Sequence, residues 1–334
     1  MSIKTYIFRV QRNTCHGDNG KVDTNWQEYI IECEETTTVL TALDDIRDHQ
    51  DSTITYRQSC RSAICGSCAM KISGKTRLAC KTHVGIVARS VEGKEHQVIE
   101  VAPQGNQPVL KDMAIDIAPF FDRVIKIQPF IKGGDEADTE VHQNSYDQVN
   151  HVTQCIMCGC CYSECTVAEV SPEYIGPAAL AKAFRFVSDP REGCKTARLK
   201  ELSEDHMMWS CSRCAMCVEA CPKDVAPMEA IVKLRTRGIQ KGFTNTTGAK
   251  HALAFHEDIT SRGDLNEFSV MMRTIGIFGT MGEIPTALHL LKKGKIPSPI
   301  PHKAEGIEEV RKMYDILEKN PLDVETKAKE VEPE

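Results

Sequence analysis

Sixteen cysteines in 334 residues, thirteen of them gathered at 60–80, 155–165 and 211–221, limit this chain more than any other feature. A secreted disulfide scaffold is short, whereas this chain is long enough for roughly two domains. Many of its cysteines are separated by two residues, a spacing that suits metal ligation better than bridging. Three of the clustered sets repay separate treatment.

Cys60, Cys65 and Cys68, followed by Cys80, have the x4, x2 spacing of plant-type [2Fe–2S] sites. A loop supplies three thiolates and a neighbouring segment the fourth. Ser62, Ala63, Gly66 and Ser67 are small enough for backbone N–H groups to approach the sulfurs and tune the potential. The other two sets share the form Cys-x2-Cys-x2-Cys-x3-Cys. In such a run the fourth cysteine ligates the other cluster. One [4Fe–4S] cluster is therefore expected on Cys155, Cys158, Cys161 and Cys221, and a second on Cys165, Cys211, Cys214 and Cys217. The two runs are related by a shift of 56 residues, which predicts two similar halves of loop and helix. Pro222 follows the second run, and Thr166 stands at the equivalent place after the first. Structural zinc is the alternative for each set. Cys15, Cys33, Cys160 and Cys194 fall outside the pattern and read as small buried hydrophobes. The eleven histidines show no metal spacing.

Three one-electron carriers in one chain make a wire. No Gly-rich nucleotide fingerprint and no Ser/His/Asp set accompanies them, so no substrate site of its own is expected. The net charge is −6, which argues against nucleic acid or an anionic membrane surface as the main partner, since both reward a basic stripe. Hydrophobic residues at 41% suffice for a real core. The start, Met1 to Val10, has no apolar signal region. The weakly apolar stretch from Thr274 to Leu291 is broken by Glu283 and Pro285, too early for a membrane span.

The expected fold class is α+β. Thr5–Val10 and Tyr29–Ile31 are β-favouring runs, and apolar Val39, Ala42, Leu43 and Ile46 mark an amphipathic helix. Ala69–Leu78 reads as strand, Ser-Gly turn, strand, and His96–Val101 as a last strand. These elements suit a β-grasp [2Fe–2S] ferredoxin-like domain over 1–105. Gly105–Pro108 is the expected boundary, followed by an all-α, bacterial-ferredoxin-like domain over 106–240. There Pro177 and Pro227 open helices, the first with an apolar face of Leu180, Ala183, Phe184 and Val187. A helical extension over 241–334 includes the stripe Ile307, Val310, Tyr314, Leu317. Its charged tail after Asn320 is expected to be disordered. Leu288–Lys293 reads as a solvated helix end stopped by Gly294, with contact to a membrane surface as the alternative.

Several segments resemble the iron–sulfur subunit of succinate dehydrogenase and fumarate reductase. Tyr56–Met70 is similar to its first cluster loop, Gly74–Cys80 to the segment bringing the fourth ligand, and Pro108–Met113 to its interdomain linker. Cys155–Cys161 and Cys217–Pro222 resemble its second-domain runs. The resemblance covers about residues 1 to 235. It implies electron transfer between the FAD of a flavoprotein subunit, which oxidises succinate or reduces fumarate, and a quinone-reactive membrane subunit. The chain departs from ubiquinone-linked members in two ways. Those have a non-cysteine residue where Cys214 stands, and a [3Fe–4S] distal cluster; Cys214 favours [4Fe–4S]. They also carry Cys-Pro-Ser and tryptophans after the first run, and a histidine after the first cysteine of the second. Here Thr166-Val167-Ala168 follows Cys165, and Ser212 follows Cys211.

Both departures are similar to the branch often called type E. Lys250–His256 and Gly263–Glu267 look like the C-terminal part of small heterodisulfide reductase subunits. That resemblance implies a cysteine-rich, heterodisulfide-reductase-like partner in place of a haem-bearing anchor; a helical cap over the distal cluster is the plainer reading of 241–334. A heterodisulfide-reductase-like subunit serving another dehydrogenase is the alternative within electron transfer, and a zinc adaptor the alternative outside it. The expected location is peripheral on the membrane through partners, on the cytoplasmic face, or on the periplasmic face after export with a partner.

Overall fold

The computed structural model describes residues 3–16, 21–138, 140–295 and 303–319. The tail expected to be disordered lies outside them. The chain divides into two compact units. One comprises Met1–Val141, Tyr146–Lys195 and Cys211–Val232, the other His142–Ser145, Thr196–Ser210 and Lys233–Glu334.

The first unit begins with two long strands, β1 (Ile3–His16) and β2 (Lys21–Glu34), paired antiparallel from Ile3↔Glu34 to His16↔Lys21. Helix α1 (Val39–His49) follows. Its N-cap is Thr38, whose hydroxyl accepts from the Thr41 N–H at 3.1 Å. Strands β3 (Ala69–Ile72) and β4 (Lys75–Leu78) form the expected hairpin, and the short helix α2 (Val84–Val87) leads towards β5 (Gln97–Ala102). The sheet order is β4-β3-β5-β1-β6-β7, with β2 along the other edge of β1. Strand β5 runs parallel to β1, from Tyr6↔Gln97 to Val10↔Val101.

Alternation decides which face of the sheet is buried. Tyr6, Phe8 and Val10 of β1 meet Val39, Leu43 and Ile46 of α1, with Ile72, Ile99 and Val101 in the same core. Each such side chain contributes roughly 1.5–3 kcal/mol on burial. The sequence reading ended the sheet at β5. In fact β6 (Val109–Lys111) and β7 (Ala114–Ile115) extend it, β6 pairing with β1 at Thr14↔Lys111. Two or three residues are too few to carry an alternating signal, so chain pairing rather than pattern makes these strands.

The helices of this unit are α3 (Ala118–Lys126), most of α4 (Gln143–Thr153), α5 (Cys160–Ser163), α6 (Thr166–Val170) and α7 (Pro177–Val187). Helix α8 (Lys195–Leu202) starts here and continues into the second unit. Helix α9 (Met216–Glu219) lies wholly in the first, and α10 (Pro227–Gln240) again crosses from one to the other. Pro177 sits in the first turn of α7 as expected, and Leu180, Ala183, Phe184 and Val187 are buried. Hydrogen bonds tie the sheet to the helices. The hydroxyls of Thr76 and Ser163 are 2.7 Å apart, and the Thr76 N–H donates to Glu164 Oε1 at 2.9 Å. Asn106 Nδ2 donates to the carbonyls of Tyr162 and Cys165 at 2.8 and 2.9 Å.

The second unit is helical. Helix α11 (Thr247–Arg262) ends at Gly263, φ 75°, a left-handed cap that suits glycine. Asn266 caps α12 (Glu267–Gly282), which is kinked at Gly276 (φ 73°, ψ 178°). Helices α13 (Ile284–Lys292) and α14 (Ile307–Lys319) complete it. Asp258 of α11 is fully buried and organises the turn. It accepts from the Asn266 N–H at 3.1 Å and the Ser269 hydroxyl at 3.2 Å, with Arg262 and Arg273 at 3.7 and 3.6 Å. Of the expected α14 stripe, Ile307 is buried and Tyr314 packs edge-on against His256, but Leu317 is exposed. Among the described residues no helix is long and apolar enough to cross a membrane.

Candidate metal centres

The loop at 60–68 turns its N–H groups inward. Arg61, Ala63 and Gly66 all have positive φ (54°, 55° and 77°). Cys60 Sγ accepts from the N–H groups of Ser62 and Ile64 at 3.4 Å and of Cys65 at 3.3 Å. The Ala63 N–H donates to Cys80 Sγ at 3.3 Å, joining the loop to the segment after β4. The Ser67 hydroxyl donates to Cys65 Sγ at 3.3 Å. The N–H groups of Ser62, Cys65 and Ile64 pull the Cys60 thiol down to about 6, so the loop stabilises a thiolate, the form that binds metal. Burial pushes Cys68 up, with Cys80 and Cys65 adding to it.

Asp44 of α1 anchors the entry to this loop, a role not legible in the sequence. Its Oδ1 accepts from Tyr56 Oη and from Gln58 Nε2 at 2.8 Å, and Arg61 Nη2 lies 3.0 Å from Oδ2. Burial and then the Asp44 contact push the Tyr56 phenol up, so Tyr56 stays a donor.

Cys155, Cys158, Cys161 and Cys221 line one small cavity, walled by Phe120, Ile156, Ala178, Ala181 and Val225. Its lining is apolar apart from the thiols and Lys223. Burial pushes the Cys155 thiol up, against the Met157 N–H and the charge of Lys182, which draw it down. Burial, followed by Cys158 and Cys155, drives Cys161 upward. Four thiols converging in an apolar cavity are unfavourable as separate anions. They fit a group whose iron charge offsets theirs. The Val225 N–H donates to Cys221 Sγ at 3.4 Å.

The third set gathers where α6 begins and α9 ends a loop. Cys165 is the N-cap of α6, and Cys217 lies in α9. Cys165 is pushed up by burial, then by the nearby Cys211 and Cys214. Burial pushes Cys217 up to about 12, with Cys211, Cys165 and Cys214 as its charged neighbours. Cys214 is exposed. Burial opposes its ionisation, yet the Met216 N–H and the hydroxyls of Ser212 and Thr166 outweigh that and lower it. The Arg213 N–H donates to Cys211 Sγ at 3.4 Å. Among the described residues, no group of three or more His, Cys, Asp or Glu side chains closes on a single metal ion.

The repeat extends to the backbone. Met157 and Arg213 have φ of 56° and 59°, Gly159 and Ala215 of 79° and 64°. The short helices α5 and α9 begin at Cys160 and Met216, 56 residues apart. Of the cysteines outside the pattern, Cys160 is fully buried in the core of the sheet, as expected. Cys33 and Cys194 are only half-buried, a correction: Cys33 packs at the core's edge, and Cys194 Sγ donates to the Gly133 carbonyl at 3.4 Å. The side chain of Cys15 lies outside the described residues.

Gln104 is not legible in the sequence, and Gly66 has a second role besides the expected approach to the sulfurs. A Cβ on Gly66 would fall 2.7 Å from Cys158 Cβ, so the first loop and the second set touch through backbone. Buried Gln104 Nε2 donates to the carbonyls of Ala69 and Cys158 at 3.1 and 3.2 Å.

Comparison with known proteins agrees with this arrangement. Residues 7–122 match a 2Fe-2S iron–sulfur cluster binding domain and residues 151–225 a 4Fe-4S dicluster domain. The 8-methylmenaquinol:fumarate reductase iron–sulfur subunit of Wolinella succinogenes is 31% identical over 291 residues, covering 84% of this chain and 90% of its own. The fumarate reductase iron–sulfur subunit of Haemophilus influenzae is 35% identical over 218 residues, covering 61% and 82%. A solved chain of the Mycobacterium smegmatis Sdh1 complex in the apo form superposes with a TM-score of 0.62 at 20% identity, covering 73% of this chain and 99% of that one, a likeness of fold. With [2Fe–2S] and [4Fe–4S] domains in this order and relatives matched over most of their length, the chain belongs to the iron–sulfur subunits of fumarate reductases and succinate dehydrogenases.

Proposed function

We propose that this chain relays electrons between the FAD of a flavoprotein subunit and a quinone-reactive, membrane-associated subunit, using three clusters held by its own cysteines. It is the electron-transfer subunit of a succinate:quinone oxidoreductase, and membrane association comes with that complex. We assign a [2Fe–2S] cluster to Cys60, Cys65, Cys68 and Cys80. We assign [4Fe–4S] clusters to Cys155, Cys158, Cys161 and Cys221, and to Cys165, Cys211, Cys214 and Cys217. When bound, such clusters take up and release one electron at a time. The chain's own residues hold the thiolates, exclude water around the second set, and donate backbone hydrogen bonds that tune the first.

The observation that carries the reading is the cavity lined by three thiols of the first run and one of the second. It supports the crossed ligand pattern. A β-grasp domain over 1–105, a dicluster domain over 106–240 and an extension over 241–334 are the division we propose from the sequence. Cys214 supports a [4Fe–4S] rather than a [3Fe–4S] distal cluster. The type E reading, with a heterodisulfide-reductase-like partner on the cytoplasmic face, has a supporting observation of its own. The match to the 8-methylmenaquinol:fumarate reductase subunit covers 84% of this chain, more than residues 1–240 can supply, so that relative shares part of the extension.

Iron and zinc content of the anaerobically purified chain, with EPR of oxidised and reduced samples, tests the assignment. About ten irons per chain and no oxidised three-iron signal are expected. About nine irons with a strong oxidised three-iron signal would remove Cys214 from the ligands. Zinc in place of iron would overturn the relay.

A further inference from the structure

The second unit carries an apolar surface that none of the described residues covers. Beyond the kink at Gly276, Ile277, Phe278 and Met281 of α12 are 64%, 91% and 57% exposed. Helix α13 has no buried residue at all. Its Ile284, Leu288 and Leu291, at spacings of four and three, lie on one side of the helix and are all at least half exposed. Six large apolar side chains thus face solvent within fifteen residues, on a chain that is otherwise ordinary in composition. A solvated helix end would place polar groups there.

Charge says what covers it. Lys292, Lys293 and Lys295 follow directly on the apolar helix, and between Phe268 and Lys295 Glu283 is the single acidic residue. Arg273, the other Lys or Arg of this stretch, is paired with Glu257 and Asp258 at 2.8 and 3.6 Å. The three lysines therefore form a basic patch on a chain whose net charge is −6. An apolar helix face beside a lysine cluster, too short and too interrupted to span, is the pattern of a helix lying in the bilayer interface. Apolar insertion and attraction to anionic headgroups act together there, and neither alone holds a protein firmly.

We propose that residues 277–295 form an in-plane membrane foot, through which this subunit itself touches an anionic lipid surface. This goes beyond the relay reading, in which partners alone hold the chain at the membrane, and does not depend on which subunit receives the electrons.

The test is co-sedimentation of the full, cluster-loaded chain, without partner subunits, with phosphatidylcholine vesicles containing or lacking phosphatidylglycerol. Binding to the anionic vesicles, weakened by salt, is expected. A lysine near such a surface is worth roughly fivefold in binding, so Lys292→Gln, Lys293→Gln and Lys295→Gln together should weaken it about 100-fold. Phe278→Glu and Leu288→Glu should each weaken it at least about tenfold. All these positions are exposed, so cluster absorbance and circular dichroism should not change. Three results overturn the proposal: no vesicle binding, binding indifferent to lipid charge and to the lysines, or a homodimer in solution that buries Phe278. If vesicles fail and a partner subunit protects Phe278 instead, the face belongs to a protein interface, and the relay assignment stands or falls separately on iron content.

Discussion

At the level of single residues, the thiols differ in what their surroundings ask of them. Cys60 is favoured as an anion by three N–H groups, whereas Cys161 is buried among other thiols, stays neutral on its own, and becomes a thiolate there only when metal offsets its charge. Cys214 is the most telling of the set. Cys214→Ser should leave the first two clusters intact and convert the distal one to a three-iron form, seen as a new oxidised EPR signal and about one iron fewer per chain. Cys160→Ala should leave the iron content unchanged, because Cys160 belongs to the apolar core; loss of a cluster would exchange the roles of Cys160 and Cys161. Asp44 acts through the loop it anchors. Asp44→Ala strips a carboxylate from Tyr56, Gln58, Arg47 and Arg61 and should cost about 1–3 kcal/mol, measured as an earlier midpoint for loss of cluster absorbance in denaturant. The proposed ligand sets rest on spacing, because a loop that wraps a cluster must return thiols at short, fixed intervals. Asp44 and Gln104 were not readable. Apart from Arg47, their partners lie 12 to 54 residues away, and only the folded chain shows which carbonyl or phenol an amide or carboxylate will meet.

Elements show the same division. Strands β1 to β5 and helices α1 and α7 were foreseen, since each has enough residues for its period to emerge. Strands β6 and β7 were not, because they exist by pairing with neighbours rather than by pattern. Helix α7 depends on one glycine. Gly176 adopts φ 91° and ψ 162°, and a Cβ there would lie 2.7 Å from the Tyr162 ring. Gly176→Ala should therefore destabilise the first unit by about 1–3 kcal/mol from backbone strain alone, with the ring contact adding to it. At the tip of the long hairpin's base, Arg12 reaches Asp51 Oδ2 at 2.6 Å and Asp112 Oδ1 at 3.1 Å, and Tyr29 donates to Asp51 at 2.7 Å. The Thr53 hydroxyl, then Tyr29, hold the Asp51 carboxyl well below the usual range. Its folded pKa is thus lower than its unfolded value of about 3.9. Its contribution is complete above that pH and is lost as pH falls further through the folded value. Acid denaturation of Asp51→Asn should show a shallower fall in stability below about pH 4 than the unaltered chain.

For the whole molecule, the crossed arrangement of the second and third ligand sets has a consequence in time. In the proposed assignment the four thiols of the first site are all made by residue 80, but the other two sites draw on both runs and are complete only at Cys217 and at Cys221. At about 5–20 residues per second, the 56 residues between Cys165 and Cys221 leave the first run without its partner for several seconds on every ribosome. During that interval five cysteines, Cys160 among them, are open to oxidation or to stray metal. The [2Fe–2S] site can thus be filled while the second run is still unmade, whereas the other two can be filled only after that run has been synthesised. A pulse of oxidant during synthesis should therefore damage the two cubane sites far more than the first one.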